Sequence, residues 1–426
     1  AMRFLRRSGN GVAAVSRLFV FFVAAIMLQS CVDFDSDATQ AITVFVKLQL
    51  PDDASAASVE GKTITMSNAL GEKYTAITNA EGIAQFNDLV PDAYSLSTSW
   101  SISSDEYAQI TGDNVVTQGA VVGGTVNEQL LVNSNSAADP LTLQLQISVN
   151  RSLVISKIYF AQSKDRNNKN YANGEYIEIF NQSDDTINVS GLYIGLVESN
   201  STPAYSLEKL HELYADSVVM LKQVFRIPTD ENRLLAPGKA LLLVNSAIDH
   251  TENSDLEHNL IGADYEAKNT NPKNKKIINN DDVKALDMIY TFSATLTTMN
   301  LLTGGPNGIV IFFSDLDVAA CPYVYNYGKT TGSQWLVLPK RDIIDAVEVL
   351  KYTTNGIDLA TKRMYDDLDA GYTNINSTTG RNGEMVVRKV STRTGKDGHL
   401  ILEDTNNSTN DFKIVSNIDL NLREYE

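Results

Sequence analysis

The chain has 426 residues, two cysteines, four histidines and a formal net charge of −17. So acidic a surface repels nucleic acid and an anionic lipid face, and no Lys/Arg stripe offsets it. The length suits two or three domains, and the hydrophobic content of 43% is ordinary for a globular chain with sizeable cores. The first thirty residues read as an export signal. Arg3, Arg6, Arg7 and Arg17 make a basic segment without an acid, and Leu18 to Leu28 then runs uncharged. That run is shorter than the ~20 apolar residues a membrane-spanning helix needs, and it suits the apolar core of a signal peptide.

The run ends in Leu28-Gln29-Ser30-Cys31, which resembles the lipobox of bacterial lipoproteins. A small residue at Ser30, an apolar one at Leu28 and a thiol at Cys31 are what cleavage and acylation require. The resemblance implies removal of residues 1–30 and lipid on Cys31; an ordinary secretory signal with a chance cysteine is the alternative. Two or more acyl chains, palmitate among them, give stable anchoring where one does not. Losing the four arginines of residues 1–30, which hold no acid, takes the net charge from −17 to −21. Asp33, Asp35 and Asp37 follow in an acidic tether over 31–40. They resemble the surface-export signal of Bacteroides-type lipoproteins, which implies an outer-membrane location facing the cell exterior. An EF-hand reading fails, because Ala38 stands at the loop's glycine position and Val44 at its bidentate acid. With Cys31 lipidated, Cys321 has no disulfide partner and is expected as a buried small hydrophobe.

Residues 41–148 read as a small β-sandwich. Ile42, Val44 and Val46 alternate with Thr43, Phe45 and Lys47, and further short runs at 63–66, 73–77 and 93–97 are separated by turn signals. Thr78, Gly82, Phe86, Leu89, Pro91 and Tyr94 are spaced as in carboxypeptidase-regulatory-like (transthyretin-like) sandwiches, which this segment resembles; Asp92 stands where that pattern has glycine. The resemblance implies that Gly82 makes a turn and that Phe86, Leu89 and Tyr94 fill a core. It implies a spacer or binding accessory without catalytic residues. Residues 132–140 read as a linker, and 141–148 as an alternating strand.

Residues 149–426 are expected to form a second sandwich. Gly174-Glu175-Tyr176-Ile177-Glu178-Ile179-Phe180-Asn181, Val189-Ser190-Gly191-Leu192, Leu235-Ala236-Pro237-Gly238, Asp345-Ala346-Val347 and Asp404-Thr405-Asn406-Asn407-Ser408 through Asp411-Phe412 stand in the order of lamin-tail strands, and the region resembles that domain. The fold expected is therefore all-β: two immunoglobulin-like β-sandwiches, the second carrying long insertions with a short helix. An uncharacterised family of cell-surface lipoproteins of Bacteroides-type bacteria shares this layout, which implies a location without an activity. Four insertions are expected at about 201–230, 249–300, 314–340 and 352–383. Leu207, Leu210, Leu213 and Tyr214 in the first are spaced for one helical face. Long loops on a rigid sandwich are where binding tends to reside.

Two clusters in these insertions are candidate sites. His250, Asp255 and His258 bring imidazoles and a carboxylate together in sequence, yet match no zinc spacing. A solvated acidic loop is the first expectation, and a metal-dependent hydrolase the alternative. Tyr323, Tyr325 and Tyr327 share one face if 323–327 is a strand, with Trp335 beyond. An exposed aromatic row stacks on sugar rings or docks a protein; rings that pack an insertion onto the sandwich are the plainer expectation. G-x-S-x-G and H-E-x-x-H are missing, and Tyr327-Gly328-Lys329-Thr330 fails as a phosphate loop because Tyr323 stands where glycine is needed. No motif implies a cofactor. Paired carboxylates for glycoside hydrolysis need no local motif and stay open. Asp216-Ser217-Val218 and Asp185-Thr186-Ile187 resemble a bacterial O-glycosylation acceptor. The expected function is a non-catalytic, lipid-anchored binding accessory, its partner an outer-membrane TonB-dependent transporter or a glycan.

Overall fold

In the first sandwich the period-two alternation does what it predicts: Val44, Val46 and Leu48 are buried while Lys47 and Gln49 face solvent. The computed structural model describes residues 39–52, 54, 57–112, 119–149 and 152–426, so the expected export signal, Cys31 and most of the expected tether lie outside the described residues. Strands β1 (Ile42–Gln49), β2 (Thr63–Asn68), β3 (Lys73–Ile77), β4 (Ile83–Leu89), β5 (Asp92–Ile102), β6 (Ala120–Leu131), β7 (Leu141–Gln144) and β8 (Gln146–Val149) make two sheets. Their orders are β4-β1-β7 and β3-β2-β5-β6-β8, with β7 parallel to β1.

The expected turn and core positions hold. Gly82 has φ +74°, and a Cβ there would meet the Val59 side chain at 2.6 Å. Phe86, Leu89 and Tyr94 lie in the core, and the Tyr94 hydroxyl donates to the Val90 carbonyl at 2.7 Å. One element was not expected: helix α1 (Ser104–Thr111). Its signal is a capping box, Ser103 with Glu106, in which the Ser103 hydroxyl accepts from the Glu106 amide and the Glu106 carboxylate from the Ser103 amide.

The second sandwich is built from β9 (Leu153–Tyr159), β10 (Tyr176–Asn181), β11 (Tyr193–Val197), β12 (Val218–Arg226), β13 (Ala240–Val244), β14 (Tyr265–Glu266), β15 (Asp287–Thr291), β16 (Ile309–Phe312), β17 (Tyr323–Tyr325), β18 (Gln334–Pro339), β19 (Ile343–Val347), β20 (Glu384–Arg388) and β21 (Phe412–Ser416). One sheet runs β14-β13-β10-β9-β20-β21; the other runs β17-β18-β12-β11-β16-β19, with β15 also pairing β12. Ile155, Ile177, Ile194, Phe225, Leu243, Ile311 and Val386 fill the space between them.

The insertions are not appendages. β12, β15, β17 and β18 come from segments expected as insertions, and they extend the sheet itself. Others cover the outer faces. Helix α2 (Leu207–Tyr214), Val318, Cys321, Met364, Tyr365 and Leu368 pack on one side, with Leu210 buried but Leu213 left 47% exposed, contrary to its place on the expected face. The C-terminal segment covers the other, bringing Leu420 and Tyr425 against Tyr176, Phe180 and Leu242. Covered on both faces, strands such as Ala240–Val244 are buried at every position, and the sequence runs apolar without alternation. Buried charge on the outer face is paired: Lys157 and Glu178 sit opposite each other on β9 and β10, 3.3 Å apart and fully enclosed. Tyr425 lies beneath the Lys157 ammonium, and Glu178 also accepts from the Arg423 amide at 2.6 Å.

Candidate ligand cleft between the sandwiches

A cleft of about 280 Å³ opens where the first sandwich meets the second. Its near wall comes from β5, β6 and the β7–β8 crossover. At Leu145 the chain leaves one sheet for the other, burying Leu145 and turning the Gln144 and Gln146 side chains outward. Gly123 and Gly124 form a floor without side chains, and a Cβ on Gly124 would lie 2.3 Å from the Gln144 carbonyl oxygen. Gln146 and Asp366 also line an adjoining, more open cleft of about 420 Å³ with His211, Asp216, Lys340, Tyr365 and Asp367. The two adjoin at these shared residues, and together they are the groove.

The far wall is the Asp404–Asn410 segment, held rigidly from behind. The Asp411 carboxylate accepts from the Thr405 amide at 2.9 Å and the Thr405 hydroxyl at 2.8 Å. Asp369 accepts from the amides of Ser408 at 2.9 Å and Glu348 at 2.8 Å. Burial pushes the Asp411 carboxyl up to about 7 against the pull of Arg388, with Asp404 adding repulsion. Arg388 spans this layer: it reaches Asp345 at 3.0 Å, Asp411 at 3.6 Å and the Ile155 carbonyl at 2.9 Å. Across the cleft the Asn407 carboxamide donates to the Thr125 hydroxyl at 2.9 Å, tying the walls together. A Cβ on Gly371 would sit 1.9 Å from Asn407 Oδ1, so the close approach of these loops requires glycine there.

Several polar groups on the walls have no hydrogen bond among the described residues: the hydroxyls of Ser99 and Thr142 and the carboxamides of Gln146 and Asn410, all solvent-facing. His211, Asp216, Lys340 and Asp367 in the outer groove are engaged with one another. His211 pairs with Asp216 at 2.9 Å, and Lys340 pairs with Asp367 at 2.5 Å and lies over the Tyr365 ring. The neighbouring Ser217 hydroxyl donates to the Tyr214 carbonyl, and that of Tyr365 to the Val218 carbonyl at 2.8 Å. The His211–Asp216 pair therefore has no activated nucleophile beside it among these groups.

The two clusters expected from sequence lie elsewhere. His250, Asp255 and His258 do not form a metal site: no group of three or more ligating side chains occurs among the described residues. His250 is buried, its Nε2 donates to the Ser246 carbonyl at 2.7 Å, and its Nδ1 bonds the Tyr171 hydroxyl, so neither nitrogen is free. Burial holds this imidazole below its ordinary pKa. His258 Nε2 donates to the Asn417 carbonyl at 2.7 Å, and Asp255 faces solvent against Arg166 at 2.9 Å. The carboxylate that is enclosed in this region is Glu257, which accepts from Tyr159 at 2.7 Å and Ser163 at 2.6 Å. The aromatic row is also broken up. Trp335 is 2% exposed, donates to Asn326 Oδ1 at 2.6 Å and packs on Phe292, so it cannot stack on a ligand. Tyr323 and Tyr325 are half-buried on edge strand β17, and Tyr323 packs on Tyr290. Tyr327 lies past the end of the strand, exposed beneath the Lys209 ammonium.

The cleft's own residues were not singled out from sequence. The one signal was the Asp404–Phe412 motif, which marked the fold; its asparagines also face the cleft.

Fold and cleft together define an all-β protein of two sandwiches that share a polar groove. A family model described as a protein of unknown function (DUF4876) matches residues 236–417, inside the second sandwich. The crystal structure of a DUF4876 family protein from Bacteroides thetaiotaomicron VPI-5482 is similar over 87% of this chain and 94% of that one, with a TM-score of 0.52 and 20% identity, which establishes likeness of fold. An adhesin candidate from Bacteroides ovatus ATCC 8483 aligns over 78% of this chain and 90% of that one at 10% identity; its TM-score of 0.18 carries no argument. No curated protein matches the chain.

Proposed function

We propose that the protein is a non-catalytic binding module, anchored by lipid on Cys31 to the outer face of the outer membrane, with the groove between its sandwiches as the ligand site. The observation that carries this reading is the groove: its walls come from both sandwiches, the far wall is braced by buried ion pairs, and both present hydroxyls and carboxamides without a partner among the described residues. Braced walls lower the ordering cost of binding. The engaged state of His211, Lys340, Ser217 and Tyr365 supports a binding role over a catalytic one.

The lipid anchor rests on the basic segment, the apolar run and the Leu28–Cys31 motif standing in register. Division into modules at 41–148 and 149–426, the first related to carboxypeptidase-regulatory-like sandwiches and the second to lamin tails, belongs to the same proposal. So does a TonB-dependent transporter as neighbour in the membrane.

The test is fractionation of cells expressing the wild type and Cys31→Ser. The wild type is expected in the outer membrane, accessible to added protease on intact cells, and the variant in a soluble fraction. A wild-type protein with a free thiol at Cys31, or one released without detergent, would overturn the anchor. Repeated recovery of the protein alone from solubilised outer membrane would remove the transporter.

A further inference from the structure

The chemistry of the groove limits what it holds. Among the described residues that line the inner cleft the only charge is Asp366, so none of them neutralises a phosphate, sulfate or carboxylate. In the outer groove Lys340 already has a carboxylate partner in Asp367, and His211 is bonded to Asp216. An anionic ligand would meet the carboxylate of Asp366. Apolar anchoring is equally scarce. Val121 is buried, Val126 half-buried and Ala370 small, and no aromatic or long aliphatic side chain lines the inner cleft. A peptide would find no pocket for a side chain.

What remains is a set of neutral groups that both donate and accept. Each carboxamide offers two N–H donors and an acceptor oxygen, and each hydroxyl one donor with two lone pairs. Ser99 and Thr142 stand on the first sandwich with Gln146, and Asn410 faces them from the second, above the bare backbone of Gly123 and Gly124. That pattern complements a ligand whose edges alternate hydroxyl donors and acceptors and whose faces lie flat. Because Gln146 and Asp366 line both clefts, the groove accommodates more than one ring in series.

We propose that the groove between the sandwiches binds a neutral oligosaccharide, gripped between the carboxamides of Gln146 and Asn410. The assignment deepens the binding role proposed above and rests on it. It places the sugar site away from the tyrosines of the 314–340 segment.

The experiment is calorimetric titration of the purified full chain with maltohexaose, xylohexaose, mannohexaose and galactotetraose, and with oligogalacturonate as the charged comparison. Gln146→Ala and Asn410→Ala follow on any ligand that binds. Both side chains face solvent, so the variants are expected to keep the wild-type melting temperature. Binding of at least one neutral chain is expected, weakened about tenfold by each variant, as loss of one well-placed hydrogen bond predicts. Absence of binding across the neutral panel, preference for oligogalacturonate, or unchanged affinity in both variants would each overturn the proposal. Capture of a peptide that the same two variants release would overturn the saccharide assignment and leave the binding role standing. Membrane fractionation of Cys31→Ser is read independently of all these outcomes.

Discussion

Asn407 donates its carboxamide to the hydroxyl of Thr125, a residue 282 positions away in the chain, at 2.9 Å. Together with the longer contact from Asn127 to the Ala370 carbonyl at 3.4 Å, this bond joins two sandwiches whose cores are separate.

A double-mutant cycle on Thr125→Val and Asn407→Ala measures that link. Coupling of about 0.5–1.5 kcal/mol is expected from urea midpoints, the usual net worth of a neutral hydrogen bond. Strictly additive effects would mean that the bond does not hold the walls together.

Arg388→Met removes the cation that Asp345 and Asp411 face in a sealed layer. Breaking a buried pair from one side leaves uncompensated charge, and a loss of about 3–5 kcal/mol in unfolding free energy is expected. Adding Asp411→Asn should recover part of it, because the neutral amide needs no counter-charge. A loss below 1 kcal/mol for Arg388→Met would show that the layer is hydrated.

Stability should pass through a minimum near neutral pH. Burial raises Glu175 and Glu257 from 4.5 to about 7, against the hydrogen bonds that hold each carboxylate. Between those values the folded chain binds more protons than the unfolded one, so stability is full below 4.5 and falls as pH rises to 7. Burial lowers Lys222 from 10.5 to about 7, opposed by Glu198. There the unfolded chain binds more protons, and stability recovers as pH rises from 7 towards 10.5. Urea midpoints measured across pH 4–10 check both limbs. Glu257→Gln should flatten only the acid limb, by up to ~1.4 kcal/mol per pH unit.

Two aromatic substitutions separate packing from surface. Trp335→Ala is expected to cost about 3–5 kcal/mol, because the ring fills the covered face of the larger sheet. Tyr327→Ala, at 52% exposure, should stay within about 0.5 kcal/mol. Equal effects in thermal denaturation would contradict the burial difference.

How much was legible depended on whether the signal was local. Alternation over Ile42–Gln49, the Gly82 turn and the Phe86, Leu89 and Tyr94 core positions are consequences of strand period and backbone stereochemistry, and each stands as expected. The capping box before α1 is equally local. His250, Asp255 and His258 suggested a metal only while their surroundings were unknown; Ser246, Tyr171, Asn417 and Arg166 turn out to occupy them. Segments set aside as insertions proved to be sheet strands, because an apolar run such as Val218–Arg226 looks the same in a covered loop and in a central strand.

The order of residues alone determined an all-β chain with two sandwich-forming stretches, since side-chain periodicity and turn stereochemistry act over a few neighbouring residues. Only the tertiary structure decided where a ligand site lies. The groove draws on Gln146, Asp366 and Asn410, far apart in the chain, and their convergence depends on how two sandwiches dock through Thr125 and Asn407. Docking is set by shape and hydrogen-bond geometry across long separations, for which no local pattern exists.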